Sequence, residues 1–181
     1  MDSELMPFDH SLPDGRTVHI RAVRTSDEGD LLQAFERMSP EARYMRFMRV
    51  VGQPNIERLR EALAAFPESG LGIVATVPAD DEIDIAGGAM FLIGNDPKSC
   101  EFSTTVSADY GGRGLGHALM STLIAAAKQR GMHEMEGYVL SKNQPMLKLA
   151  ARLGFSTSAD PDDGSVRICR LHLASRLDGT L

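Results

Sequence analysis

Only two cysteines, Cys100 and Cys169, occur in the 181 residues. They make no CxxC pair and no metal-ligand spacing, so neither a disulfide framework nor a thiolate metal centre organises the chain. Two buried free thiols are the expectation. Basic residues are outnumbered as well: 19 Lys and Arg against 25 Asp and Glu give a formal net charge of −6. That balance argues against general affinity for DNA, RNA or an anionic membrane. No apolar run approaches the length needed to cross a bilayer. The N-terminal MDSELMPFDHSL is acidic and lacks the basic-then-apolar layout of a signal peptide. There is no internal repeat, low-complexity tract or linker marking a second domain. The expectation is a reduced, cytoplasmic, soluble protein: residues 1–12 a loose lead-in, 13–176 one domain, 177–181 a tail.

What is present reads as a mixed α/β chain. Hydrophobic residues make up 43% of it, enough for one core. Asp14-Gly15 is a turn signal before the alternating strand Thr17–Val23. Thr25-x-x-Glu28 has the form of a capping box and opens a helix to about Arg37, with Leu31, Leu32 and Phe35 as its buried stripe. Ser39-Pro40 caps a second helix, carrying Arg43, Arg46 and Arg49 at helical spacing, and Asn55–Phe66 is a third. Leu71–Val77, Asp84–Ile93 and Cys100–Val106 form an antiparallel ladder, separated by turns at Asp80-Asp81-Glu82 and Asn95-Asp96-Pro97-Lys98. A helix follows to about Arg130, capped by Gly131. Then come a strand Glu134–Leu140, a short helix from Asn143/Gln144 to Leu153, and a last strand Val166–Leu173. The expected fold is a single domain: a mostly antiparallel sheet of six to seven strands with four to five helices.

The densest signal is Val106–Met120, VSADYGGRGLGHALM, where a strand passes through four glycines into an apolar helix. Gly111, Gly112, Gly114 and Gly116 remove Cβ atoms where a helix begins, and a helix start carries unpaired N–H groups and partial positive charge. The stretch reads as a phosphate or pyrophosphate seat, against the plainer reading of a flexible turn. No lysine follows the glycines, so a P-loop is excluded. A GxGxxG frame started at Gly112 reaches His117 and one started at Gly114 reaches Leu119, so a dinucleotide loop does not fit either.

The stretch Gly111-Gly112-Arg113-Gly114-Leu115-Gly116 after a strand ending in Val, with Asn143 and Leu153-Gly154-Phe155 downstream, resembles the GNAT family of N-acetyltransferases. The resemblance runs from Thr17 to about Leu173. Three further stretches, SPEARYMRF (39–47), CEF (100–102) and NQPMLKLA (143–150), are similar to the acetyltransferase domain of bacterial Pat-type protein-lysine acetyltransferases. It implies acetyl-CoA as co-substrate. Thr104, Thr105 and Val106 would lie along its pantetheine, with a main-chain N–H at a bulge near Val106 as oxyanion donor. The amides of Gly111, Gly112, Arg113, Gly114, Leu115, Gly116 and His117 would hold the pyrophosphate, and Asn143 would contact the pantetheine arm. Two positions depart from the family pattern. Gly111 stands where relatives carry Gln or Arg. Ala150 stands where many use a tyrosine to reprotonate the thiolate, a residue the Pat-like subgroup also lacks.

An amine acceptor must be neutral to attack; a lysine of pKa ~10.4 costs roughly 4 kcal/mol to deprotonate near neutral pH. Glu101 interrupts an apolar and hydroxylic strand leading to the glycines. The resemblance makes it the general base, whereas alone it reads as a solvent-facing strand residue. His19, His133 and His172 have no partners at metal spacing, so no metal is expected, and His117 reads as a solvent-facing side chain. Tyr138 is a strand tyrosine whose hydroxyl would lie near the thiol. Arg43, Arg46 and Arg49 read equally as a solvated face or as a cationic patch for an acidic partner or a CoA phosphate. The activity implied is acetyl transfer from acetyl-CoA to a primary amine, with protein lysine first. Alternatives are a small-molecule amine acceptor or a non-catalytic acyl-CoA-sensing module. A monomer or homodimer with no nucleic-acid or membrane partner is expected.

Overall fold

The computed structural model describes residues 5–80 and 82–173. The chain opens with β1 (Phe8–Ser11) and β2 (Thr17–Ala22), an antiparallel pair. Their turn contains Asp14-Gly15, with Gly15 at a left-handed φ of 89°. Residues 8–11 are thus not a loose lead-in. Leu12, 3% exposed, anchors the segment in the core, while the four residues of β1 are too few for an alternation signal.

The Thr25/Glu28 capping box does not form. A 3-10 turn, Thr25–Asp27, precedes α1 (Glu28–Arg37), and the Asp27 carboxylate accepts the Arg24 amide at 2.7 Å. The same carboxylate accepts from both terminal guanidinium nitrogens of Arg21, Nη1 and Nη2, at 2.8 Å. Glu28 turns instead to Arg60, 2.8 Å away, on α3 (Ile56–Ala65). Of the anticipated α1 stripe only Phe35 is buried, and Leu31 and Leu32 are half-buried. The other caps form where the residue types place them. Ser39 Oγ accepts the Ala42 amide at the start of α2 (Pro40–Phe47), and Asn55 Oδ1 accepts the Arg58 amide for α3.

The remaining strands are β3 (Gly70–Ala79), β4 (Glu82–Ile93), β5 (Ser99–Val106), β6 (Glu134–Leu140), β7 (Ser156–Ala159) and β8 (Val166–His172). They complete one eight-stranded sheet in the order β1-β2-β3-β4-β5-β6-β8-β7. Beyond the anticipated six to seven strands, the additions are the edge strands β1 and β7; β7 is exposed at all four positions, so no apolar pattern marks it. The β5–β6 pair is parallel, its crossover made by α4 (Leu115–Gln129), and the other pairs are antiparallel. α4 buries Leu115, Leu119, Met120 and Leu123 completely, as its 3.6-residue spacing requires. α5 (Gln144–Arg152) follows β6.

Cys100 and Cys169 are free and buried, and burial pushes the Cys100 thiol up to about 12. Among the described residues no helix is long and apolar enough to cross a membrane. The tail at 177–181 and the expected domain end at 176 lie outside the described residues.

Candidate active site

The candidate site is a gap between two strands. β5 and β6 pair only at Ser99↔Glu134, Cys100↔Met135 and Glu101↔Glu136. Beyond Glu101, β5 stays in register with β4 as far as Val106, whereas β6 stays with β8 as far as Leu140. Backbone groups that a continuous sheet would pair are left facing the gap. The Gly94 amide bonds Ser99 O at 3.0 Å, and the Ser107 amide bonds Ala86 O at 2.8 Å. Both ends of β5 therefore turn odd-numbered residues toward β4. By strand alternation the N–H and C=O of Phe102, Thr104 and Val106 face the gap. Thr105 directs its backbone to β4 and lines the site only with its side chain. The register shift lies between β3 and β4, where Ala86 is the extra residue, and not in β5 as anticipated for Val106. Val106 keeps its partner Gly87 on β4.

The same alternation separates two faces. Cys100 and Phe102 enter the core on the α4 side, while Glu101, Ser103 and Thr105 point to the opposite face, where α2 lies. The Arg46 Nη2 donates to Ser103 Oγ at 2.9 Å. Glu136 shares the face of Glu101 because the two are register partners. The Tyr138 hydroxyl donates to Glu136 at 3.3 Å, and Arg170 pairs with its other oxygen at 3.2 Å. Glu101 keeps contact with solvent, yet partial desolvation and then the Glu136 charge raise its pKa, with Arg46 opposing. Desolvation draws the Arg46 guanidinium down from its usual range, and the Glu101 charge opposes that. Tyr138 is raised too, by desolvation first and then by Glu136 and Glu101.

At the other end of β5 a 3-10 turn, Ala108–Tyr110, leads into the glycines. Gly112 and Gly114 are both left-handed, with φ of 68° and 84°, which explains glycine at these two positions. A Cβ at either would meet nothing within 4 Å, so the loop is open on that side. The Ala118 amide makes the first intrahelical bond of α4, to Gly114 O at 3.1 Å. The amides of Leu115, Gly116 and His117 precede it and have no acceptor within the helix. Gly116 is different: its Cβ would lie 3.1 Å from Leu149 Cδ2 and 3.7 Å from Val106 Cγ2. There α4 begins hard against α5 and the end of β5. Open glycines, free helical amides and an unpaired strand edge suit an elongated anionic ligand carrying a pyrophosphate.

Asn143 is half-buried and caps α5, its Oδ1 accepting the Met146 amide at 3.3 Å. His117 is exposed beside Ser121. Ala150 is fully buried, and no hydroxyl stands at that position. The three arginines of α2 and its C-terminal side do not form a single patch. Arg43 stacks on Phe35 at 4.3 Å and donates to the Phe35 carbonyl, Arg46 reaches Ser103, and Arg49 is exposed. Sequence reasoning missed Glu136. The Glu134-x-Glu136-x-Tyr138 alternation marks one face of a strand, but the partner opposite Glu101 depends on register.

The model of the acetyltransferase (GNAT) family matches residues 31–155, and the chain belongs to that family. Acetyltransferase PA5475 of Pseudomonas aeruginosa is 32% identical over 163 residues, covering 90% of this chain and 88% of its own. The crystal structure of the GNAT domain of S. lividans PAT matches with a TM-score of 0.82 at 21% identity, over 92% of this chain and 96% of that one. The structure of yncA from Salmonella typhimurium with its cofactor acetyl-CoA matches with a TM-score of 0.66 at 19% identity, over 90% and 98%. The protein is an acetyltransferase, and acetyl-CoA, the acyl donor of its family, is its co-substrate.

Proposed function

We propose that the enzyme transfers the acetyl group of acetyl-CoA to a primary amine, a protein lysine in first place, with Glu101 as general base. The observation that carries this is the setting of Glu101: at the mouth of the β5–β6 gap, partly desolvated, and beside a second carboxylate. Bound acetyl-CoA supplies an electrophilic thioester carbonyl. Glu101 takes the proton from the arriving ammonium, directly or through a water. The Val106 amide, turned into the gap, suits the role of donor to the developing oxyanion. Thr104 and Val106 offer backbone pairing along the pantetheine, with Thr105 and Asn143 lining it. Gly111 through His117 would hold the pyrophosphate by their amides.

An open acceptor side favours a protein side chain over a small molecule. Leu92 and Tyr138, each 36% exposed, border Glu101 and offer apolar surface to the methylene stem of a lysine. Two buried free thiols fit a reducing cytoplasm. The test is incubation with acetyl-CoA and candidate proteins, with thiol release measured and acetylated lysines mapped by mass spectrometry. Acetyl-CoA binding without acceptor-dependent thiol release would overturn the reading.

The charges around Glu101 make its pH dependence specific. The acid limb of kcat/KM for the acceptor is expected above the ordinary glutamate value of about 4.3. Glu136→Gln removes a like charge and moves that limb to lower pH. Arg46→Gln removes the opposing charge and moves it to higher pH. Rate profiles of the three proteins check both directions, and a limb unmoved by either change removes the assignment.

A further inference from the structure

We infer that the β1–β2 turn is a strap across the glycine loop, and that Asp14 is a positioning residue for acetyl-CoA binding. The inference rests on reading that loop as the pyrophosphate seat. Glycine confers amide access at the cost of stiffness, because it loses more conformational freedom on being fixed than any other residue. Arg113 sits between the two left-handed glycines, and neither has a neighbour at its missing Cβ. Two left-handed glycines around one arginine give that segment little stiffness of its own.

The hold comes from 99 residues away. Asp14 Oδ2 accepts Arg113 Nη1 at 2.9 Å and Arg16 Nε at 2.9 Å, while its Oδ1 accepts the Arg16 amide at 3.0 Å. Arg16 then continues to the other flank of the loop. Its Nη2 donates to Asp109 O at 2.9 Å, and its guanidinium lies 4.1 Å from the centre of the Tyr110 ring. One turn thus grips both the 3-10 approach and the glycine segment. The turn is itself rigid, since Leu12, Val18 and Ile20 beside it are core residues. The Arg16 amide, followed by its guanidinium, holds Asp14 below the usual carboxylate range, so the strap is charged at neutral pH. A loop ordered before the ligand arrives spares the ligand that ordering cost.

The variant to make is Asp14→Asn. It keeps Oδ1 for the Arg16 amide, so the turn is preserved, and removes the charge that holds Arg113. Binding of acetyl-CoA and of S-acetylpantetheine, which lacks the pyrophosphate and nucleotide, is compared by calorimetry on the full chain. For the variant, acetyl-CoA is expected to bind roughly five-fold more weakly, the scale of an exposed charge pair. Its KM for acetyl-CoA rises in step, kcat is unchanged, and S-acetylpantetheine binds as to wild type. Asp14→Glu is expected to recover part of the loss. Unchanged or tighter acetyl-CoA binding by Asp14→Asn overturns the inference, as does an equal loss for both ligands. Failure of the wild type to bind acetyl-CoA would instead bring down the seat itself, and this inference with it.

Discussion

Glu101→Gln is expected to lower acceptor turnover by about 10²- to 10⁴-fold, the usual worth of a positioned general base. Glutamine has the shape of glutamate but accepts no proton from an ammonium. Glu101 points to the α2 face of the sheet, whereas the unpaired backbone of Thr104 and Val106 lies in the plane of the gap. Acetyl-CoA affinity should therefore hold. The residual rate of the variant should climb with pH up to the pKa of the acceptor, because only amine deprotonated in solution can then react. Thiol-release assays from pH 6 to 10 separate these outcomes. Full turnover by Glu101→Gln at neutral pH would remove Glu101 as the base.

The largest stability effect is expected at the buried pair beneath α1. Arg21 and Asp27 are 8% and 4% exposed, and two 2.8 Å bonds join them. Asp27→Ala strips the partner from a buried guanidinium and also frees the Arg24 amide. Breaking such a pair costs about 3–5 kcal/mol. For a domain of this size that corresponds to a fall in Tm of roughly 10 °C or more. The pH dependence has a definite sign. Burial alone would raise the Asp27 pKa, but the Arg21 hydrogen bonds and the Arg24 amide outweigh it and leave it lowered. A lowered folded value means the stabilisation is complete above the unfolded value of about 3.9 and is lost as pH falls through the folded one. The gap in Tm between wild type and Asp27→Ala should accordingly narrow in acid. A constant gap down to pH 2 would contradict this. The pair fixes the start of α1, the first helix of the face that carries Arg46, so the variant should also lose activity before it unfolds.

Both effects lie on the face of the sheet where sequence patterns were least informative. Thr25 and Glu28 have the spacing of a capping box, yet Asp27 takes the role because Arg21, on the neighbouring strand, neutralises it there. Arg43, Arg46 and Arg49 share a helical spacing, yet Phe35, Ser103 and solvent take one each. In each case the local signal was real, and a partner distant in the chain chose among its uses.

Covalent spacing along the chain settles part of this architecture directly. Strand and helix periods set the mixed sheet, and the caps Ser39 and Asn55 start their helices. The glycines at 112 and 114 fall where the backbone must turn left-handed into α4, the placement on which the proposed anion seat rests. Tertiary structure alone decided what depends on register and on packing across the chain. It set Glu136 opposite Glu101 and opened β5 from β6 beyond that pair. It also brought Asp14 to Arg113 across 99 residues. Such contacts follow from the burial of whole faces, a sum over the core that no short stretch of residues encodes.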